Sequence, residues 1–170
     1  MAEKVLFQTK LTDLSSTDKE GAGVLRRDEY GRVYRWVKNT ATTALTAKQP
    51  TCHEVALAGT FAMFQSVLTP ATADLMLAAG IAVTAIGASG GDCFGWVMCR
   101  GHFSNARALA VSGTAGAVGE AYIGANGTTT LARSTAAATA PKYHRDYTLL
   151  EVISASTGAV VAVDVYVNCL

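Results

Sequence analysis

Ala159-Val-Val-Ala-Val-Asp-Val-Tyr-Val-Asn168 is the stretch that decides the fold class. Side chains of an extended strand alternate between two faces, so Val161, Val163, Val165 and Val167 share one face. Asp164, Tyr166 and Asn168 take the other. A helical period would scatter these valines around the axis. This is a half-buried strand. Just upstream, residues 147–153 read as its partner, with residues 154–158 as the hairpin turn.

The same pattern extends toward the N-terminus. Asn126-Gly127 separates two strand-like runs, 117–123 and 128–133, and both residues tolerate the positive φ that a tight hairpin needs. Residues 81–86, 93–100 and 107–111 are further expected strands, with Gly87-Ala-Ser-Gly-Gly-Asp92 as a turn. Gly31-Arg-Val-Tyr-Arg-Trp-Val-Lys38 is the first clear strand, with Tyr34 and Trp36 on one face and Val33 and Val37 on the other. The segment 39–50 reads as a connector, and 54–68 fits neither period. One helix is expected over residues 70–79, with Thr69 as N-cap, Pro70 at the first helical position and Gly80 just past the end. Short strands at this spacing predict a mainly β domain over residues 31–170, a β-barrel or sandwich with one short helix. Trp36, Phe94, Trp96 and Val97 are its expected core. The strand around Trp96 is apolar on both sides, so it should be central and covered on both faces.

Residues 1–30 show no lasting period and read as an extended N-terminal arm. Val5, Leu6, Phe7, Leu11 and Leu14 are spaced along it as candidate partner-binding anchors. On that reading residues 2–25 are dispensable for folding.

The charge distribution bears on partners. Between residues 51 and 140 only Glu54, Asp74, Asp92, Arg100, Arg107, Glu120 and Arg133 are charged, in a chain whose net charge is +1. A dispersed monomer of this size normally has roughly a quarter or more of its surface charged. No run approaches the ~18 apolar residues of a membrane-spanning helix, and there is no basic excess to neutralise phosphates. Neither a membrane nor nucleic acid is an expected partner. A near-neutral, small-residue chain is suited to burial against other protein, as a homo-oligomer. The first ten residues lack the apolar core of a signal peptide, so synthesis in a cytoplasm is expected, with Cys52, Cys93, Cys99 and Cys169 as buried thiols.

Three motifs invite a chemical reading. Gly87-Ala-Ser89-Gly-Gly91 matches G-x-S-x-G, but a nucleophile elbow needs a helix after the serine, and a strand-like run follows. The order Ser, Asp, His also fails, because His144 precedes Asp146. Cys52-His53 and Cys99-x-x-His102, with Cys93 nearby, lack the paired spacing of structural zinc sites and read as buried thiols and polar loop histidines. The glycines at 113, 116, 119, 124 and 127 precede no Lys-Ser/Thr and read as turn and bulge positions. Arg26-Arg27 with Tyr30, Tyr34 and Trp36 could line a nucleic-acid strand, but Asp28 and Glu29 interrupt them. No catalytic residue, cofactor or metal is expected.

Cys93-Phe-Gly-Trp-Val-Met-Cys-Arg-Gly101 resembles a recurring strand in the small head proteins of tailed bacteriophages, the capsid decoration or cement proteins. The small-residue strand and Gly-rich turn over 106–124 also look like that group. So do Gly31-Arg-Val-Tyr-Arg-Trp-Val-Lys38 and the closing Val-Asp-Val-Tyr-Val-Asn-Cys-Leu170. The apolar stretch 54–68 departs from it. The resemblance implies a virion protein on the outer face of a major capsid protein shell, often a trimer. A minor capsid, coat, head-fibre or tail component shares the same composition.

Overall fold

The computed structural model describes residues 7–53, 65–68, 78–109, 121–124, 131–133, 147–150 and 159–169. Among them ten strands run in chain order: β1 (Leu25–Arg27), β2 (Val33–Asn39), β3 (Pro50–His53), β4 (Ser66–Leu68), β5 (Ala78–Ala82), β6 (Phe94–Leu109), β7 (Ala121–Gly124), β8 (Leu131–Arg133), β9 (Tyr147–Leu149) and β10 (Val160–Asn168). The fold is mainly β, and its sheet is antiparallel apart from the β2–β4 and β6–β8 pairs.

Strand β6 organises everything else. Its first part pairs with β2, from Lys38↔Phe94 to Val33↔Arg100, and with β5 at Met98 and Val97. Its second part pairs with β10 from Asn168↔Arg100 to Val160↔Leu109. On one side the pairing runs from β2 through β4, β3 and β5 back to β6. On the other it runs from β10 through β9, β7 and β8 back to β6, the last step being the single pair Ala108↔Leu131. Each half therefore rolls back toward the shared strand. Among the described residues the sheet stays open at β1, which pairs with β2 alone.

The rolling has a local cause. Between Val33↔Arg100 and Tyr34↔Met98 strand β6 carries one extra residue, Cys99. Between Val163↔Ala106 and Val165↔Phe103 it carries another, beside Asn105, whose φ is +59°. Each bulge bends a strand and increases its twist, which lets a 16-residue strand serve two layers.

Two cores result. Trp36, Trp96 and Met98 join Ile81, Tyr147, Leu131, Val163, Val165 and Val167 in the larger one. Val37 and Val97, one residue along and so on the opposite face, join Leu45, Val67, Ala79 and Ile86 in the smaller. Every residue from Cys93 to Cys99 is buried, as expected for a central strand covered on both faces. The alternation of β10 also holds: Val163, Val165 and Val167 are buried, while Tyr166 and Asn168 are exposed.

Several expectations need correction. Ala78, Ala79 and Gly80 belong to strand β5 and not to a helix end. Residues 69–77, the rest of that expected helix, lie outside the described residues. Gly80 is required for a different reason. Its φ is +134°, and a Cβ there would overlap the Met98 carbonyl oxygen of the paired strand β6. As far as they are described, the two strands expected over 93–100 and 107–111 are parts of one continuous strand, Phe94–Leu109, and residues 110–111 lie outside the described residues. Pro50–His53, expected partly as connector, is a fully buried strand, and Leu25–Arg27 forms a strand inside the expected arm. The β7–β8 pairing fits the expected hairpin, whose Asn126-Gly127 turn lies outside the described residues.

Candidate functional site

Among the described residues, the N-terminal segment and the face it covers form a densely connected side-chain cluster. Trp36 and Trp96 are direct cross-strand partners on β2 and β6, and both are fully buried. Their rings meet edge to face at 5.3 Å, and Phe94 stacks on Trp36 at 6.3 Å. Phe7 stands edge-on to Trp96 at 5.7 Å. The Arg26 guanidinium lies over the Phe7 ring at 5.1 Å, and its Nη1 donates to the Thr9 carbonyl at 2.9 Å. Aromatic contacts of this kind add about 0.5–1.5 kcal/mol each beyond the burial of area.

A buried indole N–H must find an acceptor, and the segment supplies both. Trp96 Nε1 donates to Thr9 Oγ1 at 3.0 Å, and Trp36 Nε1 donates to Asp18 Oδ1 at 2.9 Å. Thr9 passes the chain of bonds on, its hydroxyl and its N–H both donating to Glu20 Oε1 at 2.6 Å. Asp18 also accepts from the Gly21 and Ala22 N–H groups, which shapes the turn before β1. Ser15 and Phe94 exchange backbone hydrogen bonds of 3.1 and 2.9 Å. The segment is thus irregular, with several turns, and held by specific side chains.

The candidate anchors fall accordingly. Phe7 and Leu11 pack on the larger core, and Leu14 packs on the smaller one. Leu14 lies close over Gly95, where a Cβ would come within 3.2 Å of it. Val5 and Leu6 lie outside the described residues. Phe7, Leu11 and Leu14 lie on the protein's own core, and Thr9 and Asp18 cap its two indoles, so removing the arm is expected to cost folding stability. The expected core residues Trp36, Phe94, Trp96 and Val97 are all buried.

The β1–β2 hairpin turn, which ends the segment, is built by Asp28. Its carboxylate accepts from the Tyr30 and Arg32 N–H groups, from Arg32 Nε at 2.6 Å and from the Tyr34 hydroxyl at 3.2 Å. Desolvation alone would raise the Asp28 carboxyl, but the Arg32 and Tyr30 hydrogen bonds outweigh it and hold it below the usual carboxylate value. Burial, with Asp28 beside it, pushes the Tyr34 phenol up to about 12. Arg26 is committed to Phe7 and Thr9, so it does not join Arg27 in a basic face.

The other motifs resolve as follows. Ser89 sits exposed in the turn, its N–H donating to the Ala41 carbonyl, and strand β6 follows where an elbow needs a helix. His53 is buried on β3 and is not a loop residue. Its Nε2 lies 2.9 Å from Arg35 Nη1. Arginine can only donate, so in this contact the His53 nitrogen is the acceptor. His102 is on β6, with its Nε2 3.1 Å from Asp164 Oδ2. Asp164 also accepts from the Asn105 N–H, pinning the second bulge. All four cysteines are buried thiols. Among the described residues no three His, Cys, Asp or Glu side chains converge as a metal site would require. No described helix is long and apolar enough to cross a membrane. Exposed large apolar side chains gather at Leu25 and Tyr30 beside the open edge, and at Leu150, Val160 and Tyr166 on the other half.

No family model, no curated protein and no solved structure matches this chain. The functional reading therefore rests on the residues themselves.

Proposed function

We propose that the protein is a structural component of a tailed-phage head, a decoration or cement protein. It would sit on the outer face of the major capsid protein shell as a homo-oligomer, a trimer by the resemblance to the cement proteins. One observation carries the reading. The Cys93–Gly101 stretch that resembles the cement proteins lies at the centre of a mainly β fold, buried everywhere but at Arg100. The charge-poor segment 51–140 supports it, because such a surface is best kept dispersed by contact with other protein. Exposed Leu25 and Tyr30 beside the β1 edge offer an apolar contact of the kind that strand addition uses. The role needs no catalytic group, cofactor or metal.

The test combines solution mass with co-sedimentation on shells of the major capsid protein encoded by the same virus. A small oligomer that pellets with shells and stays soluble without them is the expected result. A monomer at micromolar concentration that leaves shells bare overturns the reading. Closed particles formed by this protein alone would make it a coat subunit instead.

A further inference from the structure

Cys99 and Cys169 stand opposite each other across the two longest strands. The β6–β10 register pairs Val167 with Gly101 and Asn168 with Arg100, so the next step sets Cys169 against Cys99. The Cys169 N–H donates to the Cys99 carbonyl at 2.8 Å, one bond of that step just beyond the last registered pair. Directly opposed residues in an antiparallel pair share a face, with Cα atoms about 4.5–5.5 Å apart. That falls inside the roughly 4.4–6.8 Å window a disulfide requires. Both side chains belong to the same buried cluster, and both are thiols. Cys52, by contrast, faces Leu68 and Ala78.

We propose that Cys99 and Cys169 are a redox pair that closes into an intrachain disulfide when the protein meets a low-molecular-weight disulfide, tying β10 to β6. Cys169 lies just beyond the last β10 pair, where a ladder opens most readily. Its thiolate attacks the oxidant RSSR, so a Cys169–SR bond forms as the S–S bond of the oxidant breaks and RS⁻ leaves. On reclosing, Cys99 Sγ turns from the Val33 carbonyl, to which it donates at 3.4 Å. It then attacks the Cys169 sulfur and expels the second RS⁻. The two thiol protons end on the two RS⁻ groups, and the two electrons lost by the protein reduce the oxidant. Burial pushes the Cys99 thiol up, with Arg35 pulling back, so the closing step is slow at neutral pH. The chemistry is independent of the virion reading. Its use rests on it, since a particle leaving a reducing cytoplasm would gain the lock after assembly.

The experiment incubates the full-length protein with glutathione disulfide and maps disulfides by peptide mass spectrometry, beside Cys99→Ser and Cys169→Ser variants. The expected product has lost two hydrogens, links the Cys99 and Cys169 peptides, and melts several degrees higher until reduced. Neither variant should form it, and Cys99→Ser should instead hold a stable glutathione adduct on Cys169. Four unreacted thiols after prolonged incubation, a link through Cys52 or Cys93, or a persistent Cys169 adduct in the wild-type chain overturns the proposal. None of these outcomes bears on shell binding, so the two readings fail separately.

Discussion

The two halves of strand β6 share one backbone and behave as different materials. From Phe94 to Cys99 every side chain is buried, pressed between the smaller core and the tryptophan face that residues 7–24 cover. From Gly101 to Ala108 the strand has one buried face and one open face, with His102, Ser104 and Asn105 exposed beside Tyr166 of β10. The first half is thus a two-sided core, and the second is one wall of a layer. A substitution of similar size should therefore cost several times more in the first half than in the second.

The largest effect is expected where two backbones touch. Gly80→Ala forces a side chain onto a residue at φ +134° and into the Met98 carbonyl, and backbone cannot yield as a side-chain tip can. Failure to recover soluble folded protein is the expected outcome. A variant with wild-type thermal stability would show that Gly80 does not approach the Met98 carbonyl so closely. Trp96→Ala comes next. It empties a fully buried site and leaves Thr9 without its indole donor, so a loss of about 3–5 kcal/mol in denaturant unfolding is expected.

Deleting residues 2–23 sharpens the comparison from outside. It strips Phe7, Thr9 and Asp18 from the tryptophan pair, leaving two indole N–H groups without their acceptors. The truncated chain should unfold at markedly lower denaturant, with Trp fluorescence shifted to the red in its native state. Unchanged stability would return the segment to the status of a dispensable arm.

Alkaline pH probes the same half through Tyr34. Its folded value of about 12 lies above the ordinary phenol value of 10, so the folded state keeps a proton that the unfolded state gives up. The contribution is complete below about pH 10 and is lost as pH rises toward 12. The loss should be about 1–2 kcal/mol between those limits and should vanish in Tyr34→Phe, measured by urea unfolding at each pH.

The contrast between the halves also marks what could be read from the residues alone. The valine alternation of β10 and the doubly apolar run around Trp96 are period-two signals strong enough to survive any tertiary context. The long β6 was divided in expectation because Gly101, Ser104 and Asn105 look like loop residues. They lie in a strand because two bulges and the Asp164 carboxylate absorb the irregularity. The N-terminal segment was opaque for a different reason. Its order comes from single contacts, Thr9 and Asp18 under two indoles, and no periodicity records a hydrogen bond between residues 87 apart. Gly80 looked like a helix end because a glycine needed for close approach and one needed for a C-cap are the same letter.

The smallest effects belong to the open face of the second half. Asp164→Ala removes acceptors from the Asn105 N–H and from His102, both in exposed settings where water can replace them. A cost of about 0.5–1.5 kcal/mol is expected. Tyr166→Ala should cost less still. It is 40 % exposed, and its strand neighbours Val165 and Val167 carry the burial on the other face. A change within about 0.5 kcal/mol is the usual result for such a surface position. The measurement that decides is the ratio of this loss to that of Trp96→Ala in the same buffer. A ratio near one would mean that the open face is covered in solution, and dilution would separate the causes. Cover by a second copy of the chain would make the Tyr166→Ala loss depend on protein concentration, whereas cover from within the chain would not.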